Sequence, residues 1–220
     1  YGIIDVGGIV DVSAKISGDY ADSTLMPMVD AKINFRNLSV QTIDYPQIDT
    51  FNLAAQITTG EESDFSKASI RIANAEIMSP KSSFQLEGTV IGMENSKYNI
   101  QSDIDINLAE FDQLIPDSLA NNMEGNIKAL ISTSGTLPEN MDHLVDYLMD
   151  HSTVSLDFKE VSALLNDSLK VDEFSTIIRY SPLETNVKEF QIEMLSLKSE
   201  ALNINIHNTS LSSMIIGNIN

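Results

Sequence analysis

Asp103, Asp105 and Asn107, polar residues at alternate positions, are the nearest this chain comes to a metal-binding signature. A calcium loop also needs glycine at its sixth position and a carboxylate at its twelfth. Those positions hold Leu108 and Leu114. Ile104 and Ile106 separate the three polar residues, which is the pattern of a strand with one wet face. The histidines, His143, His151 and His207, form no H-E-x-x-H or H-x-H arrangement, so spacing gives no zinc site. No serine occupies a G-x-S-x-G elbow or an S-x-x-K motif at a helix start, and Ser196-Leu197-Lys198 belongs to a strand pattern. Gly7-Gly8 precedes a strand rather than a helix, so it suits a bend or bulge better than a phosphate cradle. Glu61-Glu62 and Asp172-Glu173 could do acid–base work, but they fall in predicted turns without an apolar pocket. With no catalytic constellation complete, the chain reads as non-enzymatic, without cofactor or metal.

The elements that would position any site are strands. Tyr98, Ile100, Ile104, Ile106 and Leu108 share one face, opposite Lys97, Asn99, Gln101, Asp103, Asp105 and Asn107. Such period-two alternation marks a strand with one dry and one wet side. The same rule groups Val10, Val12, Ala14 and Ile16; Val29, Ala31, Ile33 and Phe35; Ile70 and Ile72; and Phe84, Leu86 and Val90. Later in the chain it groups Ile127, Ala129 and Ile131; Val154, Leu156 and Phe158; Phe190, Ile192 and Met194; and Leu202, Ile204 and Ile206. About ten or eleven strands are expected, joined by turns. Since almost none is apolar on both faces, the sheet should be antiparallel with one solvated side. Helical spacing of Met141, Leu144, Val145 and Leu148 predicts a helix over Pro138–Met149, with Thr136 as its N-cap. A shorter helix is expected over Ala109–Ile115, ended by Pro116.

The pattern occurs twice, about 120 residues apart. Gly8-IVDVSAKIS-Gly18 matches Gly125-NIKALISTS-Gly135, and Lys32-INFRNLS matches Ser155-LDFKEVS. Ser69-IRIANAEIMSPKSSFQLE matches Glu189-FQIEMLSLKSEALNINIH. Two β units are therefore expected, residues 1–124 and an incomplete 125–220, running on as one sheet. Their dry faces could close as a sandwich or stay open as a trough; few helices are available to cover them.

Composition narrows the partners. The 220 residues carry a net charge of −19, which opposes tight contact with nucleic acid or anionic head groups. Aromatic content is 6% with no Trp, so base-stacking platforms are missing. The absence of cysteine excludes disulfides and thiolate chemistry. No run approaches the roughly 18 apolar residues of a membrane helix. The chain opens at Tyr1 and closes within the strand-like Ser213-MIIGNIN, so a piece of a longer protein is expected.

The chain resembles the AsmA family, within the group that includes TamB-type and bridge-like lipid-transfer proteins. The residues carrying the likeness are Gly8-IVDVSAKISG, Met26-PMVDAKINFRNLSVQ, Tyr45-PQIDTFNLAAQITTG, Ser69-IRIANAEI, Gln85-LEGTVIG and Tyr98-NIQSDIDINLAEFDQLIP. They span most of both units as strand-and-turn patterns, without the amino-terminal membrane helix expected of the family. The resemblance implies a mostly β fold: an elongated, curved antiparallel sheet, a repeated β-groove, with one or two short helices. It also implies a periplasmic location on a protein anchored in the inner membrane of a Gram-negative bacterium, through a segment outside these residues. The implied partners are phospholipid or other lipid acyl chains, in support of outer-membrane assembly. Ile33, Phe35, Ile70, Ile72, Phe84, Leu86, Ile100, Ile104 and Ile106 are the strand-face candidates for a lipid groove. The nine methionines would suit a lining that adapts to varied chains. A closed β-sandwich serving as a structural or interaction module of a cell-envelope protein is the alternative. Asp22-Ser23-Thr24, Asp117-Ser118-Leu119 and Asp167-Ser168-Leu169 also resemble a short bacterial O-glycosylation sequon, in predicted loops.

Overall fold

The computed structural model describes residues 2–18, 28–43, 46–60, 65–92, 95–116, 119–138, 144–165, 169–184, 187–199 and 204–216, with side chains up to residue 182 except 65, 146 and 169. The strands are β1 (Ile3–Ser17), β2 (Met28–Thr42), β3 (Ile48–Thr58), β4 (Ser69–Met78), β5 (Ser83–Ile91), β6 (Lys97–Asn107), β7 (Ala120–Thr136), β8 (Ser152–Leu165), β9 (Leu169–Glu184), β10 (Val187–Ser199) and β11 (Ile204–Ile216). They form one open, curved, antiparallel sheet in strict chain order from β1 to β11. At about 4.8 Å per strand the sheet is about 48 Å across. A sandwich requires two facing sheets, and the described strands make one, so that alternative is set aside.

Strand pairing carries side-chain parity across the whole sheet. Residues directly opposite each other in a ladder share a face. Val10 pairs with Phe35, Phe35 with Leu53, and Leu86 with Ser102. Ser102 in turn pairs with Ile131, Ile131 with Val154, and Val154 with Tyr180. The alternate positions make a second, polar surface: Asp30, Lys32 and Asn34 on β2 continue to Gln56, Arg71, Thr89 and Asn99. Where an apolar row would drift out of phase, a bulge resets it. Ala73 is the extra residue in β4: Ala54 faces Asn74 while Ala55 faces Ile72.

The first three strands and β7–β9 share one geometry. Val12↔Ile33↔Ala55 has its counterpart in Ala129↔Leu156↔Ile178, and Val10↔Phe35↔Leu53 in Ile127↔Phe158↔Thr176. Gly8 (φ +119) and Gly125 (φ +96) both sit at a register shift. Opposite them stand left-handed residues, Asn37 (φ 49) and Glu160 (φ 51). The Asn37 amide donates to Asn52 Oδ1 at 2.8 Å, and the Glu160 amide donates to Ser175 Oγ at 2.9 Å. Phe35 meets Phe51 with ring centroids 5.6 Å apart, and Phe158 meets Phe174 at 5.7 Å. The expected division at 124/125 falls inside β7, and the sheet crosses it unbroken.

Three local expectations change. The helix predicted over Pro138–Met149 is described as α1, Leu144–Asp150; Pro138 lies outside any helix, and residues 139–143 lie outside the described set. Thr136 ends β7 and is not a cap; its amide donates to the Tyr147 hydroxyl at 3.1 Å. The helix expected over Ala109–Ile115 is two 3₁₀ turns, Leu108–Glu110 and Asp112–Leu114. Acidic side chains hold that segment tight: Glu110 accepts from the Ser79 and Ser82 hydroxyls at 2.6 and 2.5 Å and from the Lys81 amide at 2.8 Å. Asp112 accepts from the Met123 amide at 2.9 Å. Asp172-Glu173 lies within β9 rather than in a turn, where Glu173 adopts φ 52 and its amide donates to Ser162 Oγ.

Candidate functional site

All nine groove candidates fall on one face. Ile33 and Phe35 on β2, Ile70 and Ile72 on β4, Phe84 and Leu86 on β5, and Ile100, Ile104 and Ile106 on β6 are linked by same-face pairings. Phe84 pairs directly with Ile104, and Ile106 with Ile127. Period-two alternation is the local cause, since it commits every second residue of a strand to one side.

Among the described residues no second layer of strands covers this face. Fully buried apolar residues are few: Ala68, Tyr98, Ala120, Met123, Ala129 and Tyr180 among the described residues. The nine candidates are half-buried, except Ile70, which is 47% exposed. Toward β1 the same face opens fully, with Val10, Val12 and Ile16 at 55, 66 and 56% exposure. The chain exposes 14,329 Å² in all. A compact protein of this mass exposes about 10,000 Å².

Sequence reasoning expects a helix here that could plug one end of the sheet, but not the contacts by which it does so. α1 lies over the end of the apolar face formed by β6–β9. Tyr98 meets Tyr147 edge-on at 6.5 Å, and the Tyr180 hydroxyl donates to the Met149 carbonyl at 2.8 Å. Ser152 donates to the Leu148 carbonyl at 2.5 Å, and Thr133 donates to the Tyr98 hydroxyl at 3.3 Å. Gly135 leaves room for this packing, because a Cβ there would stand 2.9 Å from the Tyr147 hydroxyl. The available signal was a cluster of hydroxyl-bearing residues (Tyr98, Thr133, Ser152, Tyr180) on a face otherwise built from aliphatic side chains. Buried hydroxyls need partners, and α1 supplies several of them.

The other candidate chemistry stays separate. Asp103, Asp105 and Asn107 line up along the polar face of β6, where successive same-face residues stand about 7 Å apart, too far for one ion to bridge by strand geometry alone. Asp103 lies 3.6 Å from Lys128 Nζ across the ladder, an exposed pair. Asn107 donates to Asn126 Oδ1 at 3.0 Å. Among the described residues no cluster of three or more His, Asp or Glu could hold a metal ion. His151 stacks on Tyr147 at 4.1 Å, with Nδ1 2.8 Å from the Tyr147 carbonyl, a position beside the α1 cover. His143, Glu61-Glu62 and the central residues of all three sequon-like tripeptides lie outside the described residues, and nothing is described of the His207 side chain.

A hollow of about 580 Å³ crosses the polar face rather than the apolar one. Its walls include Gln85, Gln101, Asp103, Ser132, Thr153 and Arg179, flanking the row that runs from Leu86 to Tyr180. Leu86 alone belongs to both the hollow and the nine candidates. The apolar face is therefore a broad open surface and not a closed pocket. Not every polar-face residue is polar: Met78, Ile91 and Leu130 lie there, at 41, 51 and 45% exposure. Comparison with family models, with curated proteins and with solved structures returns no match.

Proposed function

We propose that the chain is a lipid-handling segment of an AsmA-type periplasmic protein, sheltering acyl chains against the apolar face of its sheet. The reading adds a non-enzymatic role in moving phospholipid or another lipid between the membranes of a Gram-negative envelope. An inner-membrane anchor would lie outside these residues. Among the described residues no helix is long and apolar enough to cross a membrane. One observation carries the proposal: from β1 to β9 the sheet carries a largely apolar face, and among the described residues α1 is what lies over part of it. Each acyl methylene removed from water against such a face gains about 0.8 kcal/mol before the cost of association. The acidic polar face keeps the opposite side of the sheet wet.

The test is native mass spectrometry of the purified chain, with solvent extraction of what copurifies. A roughly stoichiometric phospholipid is the expected result. Phe84→Asp and Ile104→Asp set a carboxylate at a directly paired site in the middle of the face. Each should weaken lipid retention at least about tenfold, from lost apolar contact and the cost of desolvating a charge. A lipid-free mass together with no native-state binding of a hydrophobic dye would refute the reading.

A further inference from the structure

Two adjacent rows of the apolar face end on hydroxyls that α1 occupies. One row runs from Ile72 through Ile100 and Thr133 to Ser152. The next runs from Leu86 through Ile131 and Val154 to Tyr180. Ser152 and Tyr180 are only 7 and 5% exposed, and they donate to the Leu148 and Met149 carbonyls of α1. We propose that these two hydroxyls form a binding site for the ester carbonyls of an acyl lipid, and that α1 holds the site closed until such a lipid displaces it. The inference rests on the lipid-handling function and names the end of the face at which the esters lie.

The two occupants offer the same chemistry. An ester carbonyl accepts a hydrogen bond as a peptide carbonyl does, so a lipid can replace α1 without leaving either buried hydroxyl unsatisfied. An alkyl chain alone cannot. The rows stand about 7 Å apart, two residues along each strand, and reach about 19 Å back from their hydroxyls to β4 and β5. The two chains of one diacyl lipid have room side by side on that spacing. α1 is held loosely enough to be exchanged. Its seven residues are too few for a helix that stands alone. Val145 and Met149 are 74 and 43% exposed, so α1 buries little apolar area of its own. The Leu148 carbonyl also accepts from the His151 amide at 3.1 Å and keeps that partner when Ser152 turns away. α1 belongs to the connection between β7 and β8, whose ladder is already closed at Thr133 and Ser152. It can lift without unpairing either strand.

The test compares two phosphatidylcholines with identical tails, one joined by esters and one by ethers, offered to the whole 220-residue protein in the same detergent. Binding is read by native mass spectrometry and the state of α1 by hydrogen exchange. The diester should bind at least about fivefold more tightly than the diether, the worth of one hydrogen bond. Its binding should strip exchange protection from α1 while β7 and β8 keep theirs. Ser152→Ala combined with Tyr180→Phe should abolish the preference. Tyr147→Ala loosens α1 by removing its contacts with Tyr98 and the Thr136 amide and leaves both hydroxyls in place. It should tighten both lipids about fivefold and keep the preference. Unchanged exchange protection in β2–β5 shows that each variant is folded. Equal affinity for the two lipids, a preference that survives the double substitution, or α1 protected while lipid is bound would each overturn this site and leave the lipid-handling function standing. Binding of neither lipid, to the unmodified protein or to Tyr147→Ala, would overturn both.

Discussion

Gly125→Ala is the substitution the fold should tolerate least. The glycine sits at φ +96, a conformation that L residues rarely adopt. A Cβ there would stand 2.5 Å from the Glu160 carbonyl oxygen and 2.7 Å from the Glu160 carbonyl carbon and Val161 Cα. All three are backbone atoms of β8, so no side-chain rotation relieves the clash. The left-handed conformation alone costs about 1–2 kcal/mol. Opening the β7–β8 ladder enough to admit the methyl sacrifices one or two hydrogen bonds at about 1 kcal/mol each. The expected loss is thus about 2–4 kcal/mol, a large share of an ordinary domain's stability. Gly8→Ala meets the same obstacles, with Leu38 Cα at 2.6 Å and φ +119. Among the described strands, however, β1 has one neighbour, and it can detach without opening the rest. Urea unfolding followed by circular dichroism, with hydrogen exchange read strand by strand, separates the two. Gly125→Ala should lower the main transition and strip protection from β7 and β8, whereas Gly8→Ala should strip it from β1 and β2 alone. Gly135→Ala is the comparison, because the nearest atoms there are side-chain atoms of Tyr147, His151 and Tyr98 and no backbone atom. If Gly125→Ala costs no more than Gly135→Ala, the bulge reasoning is wrong.

Three further outcomes follow from single contacts. Glu160→Asn should stabilise the chain by about 0.5–1 kcal/mol, because asparagine tolerates the left-handed region better than glutamate; Asn37 already holds the equivalent place. A lower urea midpoint for Glu160→Asn would refute the equivalence. Glu110→Ala removes the acceptor of three donors at the β4–β5 turn and should cost about 2 kcal/mol, with lost exchange protection in residues 79–82. An unchanged midpoint would mean that water replaces the carboxylate. If lipid binds the native sheet alone, delipidated chain should unfold earlier, and lipid at a hundredfold over its dissociation constant should restore about 2.7 kcal/mol. A transition indifferent to lipid would argue against binding to the folded face.

The strands were legible because face parity is a local property. In β6, Tyr98, Ile100, Ile104 and Ile106 announce their side without reference to any neighbour, and antiparallel pairing then carries the assignment from strand to strand. The nine candidates share a face for this reason. Bulges were less legible: Gly7-Gly8 invited one, but nothing local marks Ala73 as the extra residue that brings Ile72 and Leu86 into their rows. Asp172-Glu173 read as a turn because two acids interrupt alternation, whereas the Ser162 hydroxyl holds them inside β9. Helical spacing at Leu144, Val145 and Leu148 marks α1, and the seven residues Ala109–Ile115 were too few for a stable α-helix once Glu110 and Asp112 found backbone and hydroxyl donors. Where α1 lands depends on Tyr98 and Tyr180, more than eighty positions apart, and no window of sequence contains both.

An open sheet of this kind has no closed core to limit its length. Described strands pair only with their neighbours in the chain, so stability is close to a sum of interfaces along one dimension, as in repeat proteins. Additional strands can extend such a sheet without disturbing those already paired. The same architecture leaves the apolar face to be covered by something other than the sheet itself. Among the described residues α1 does so over the β6–β9 end, where hydroxyls give it anchoring points, whereas the rows toward β1 are aliphatic. A protein layer held by specific hydrogen bonds finds little to grip there. Flexible apolar chains, needing only contact area, are the occupants the proposed function calls for there.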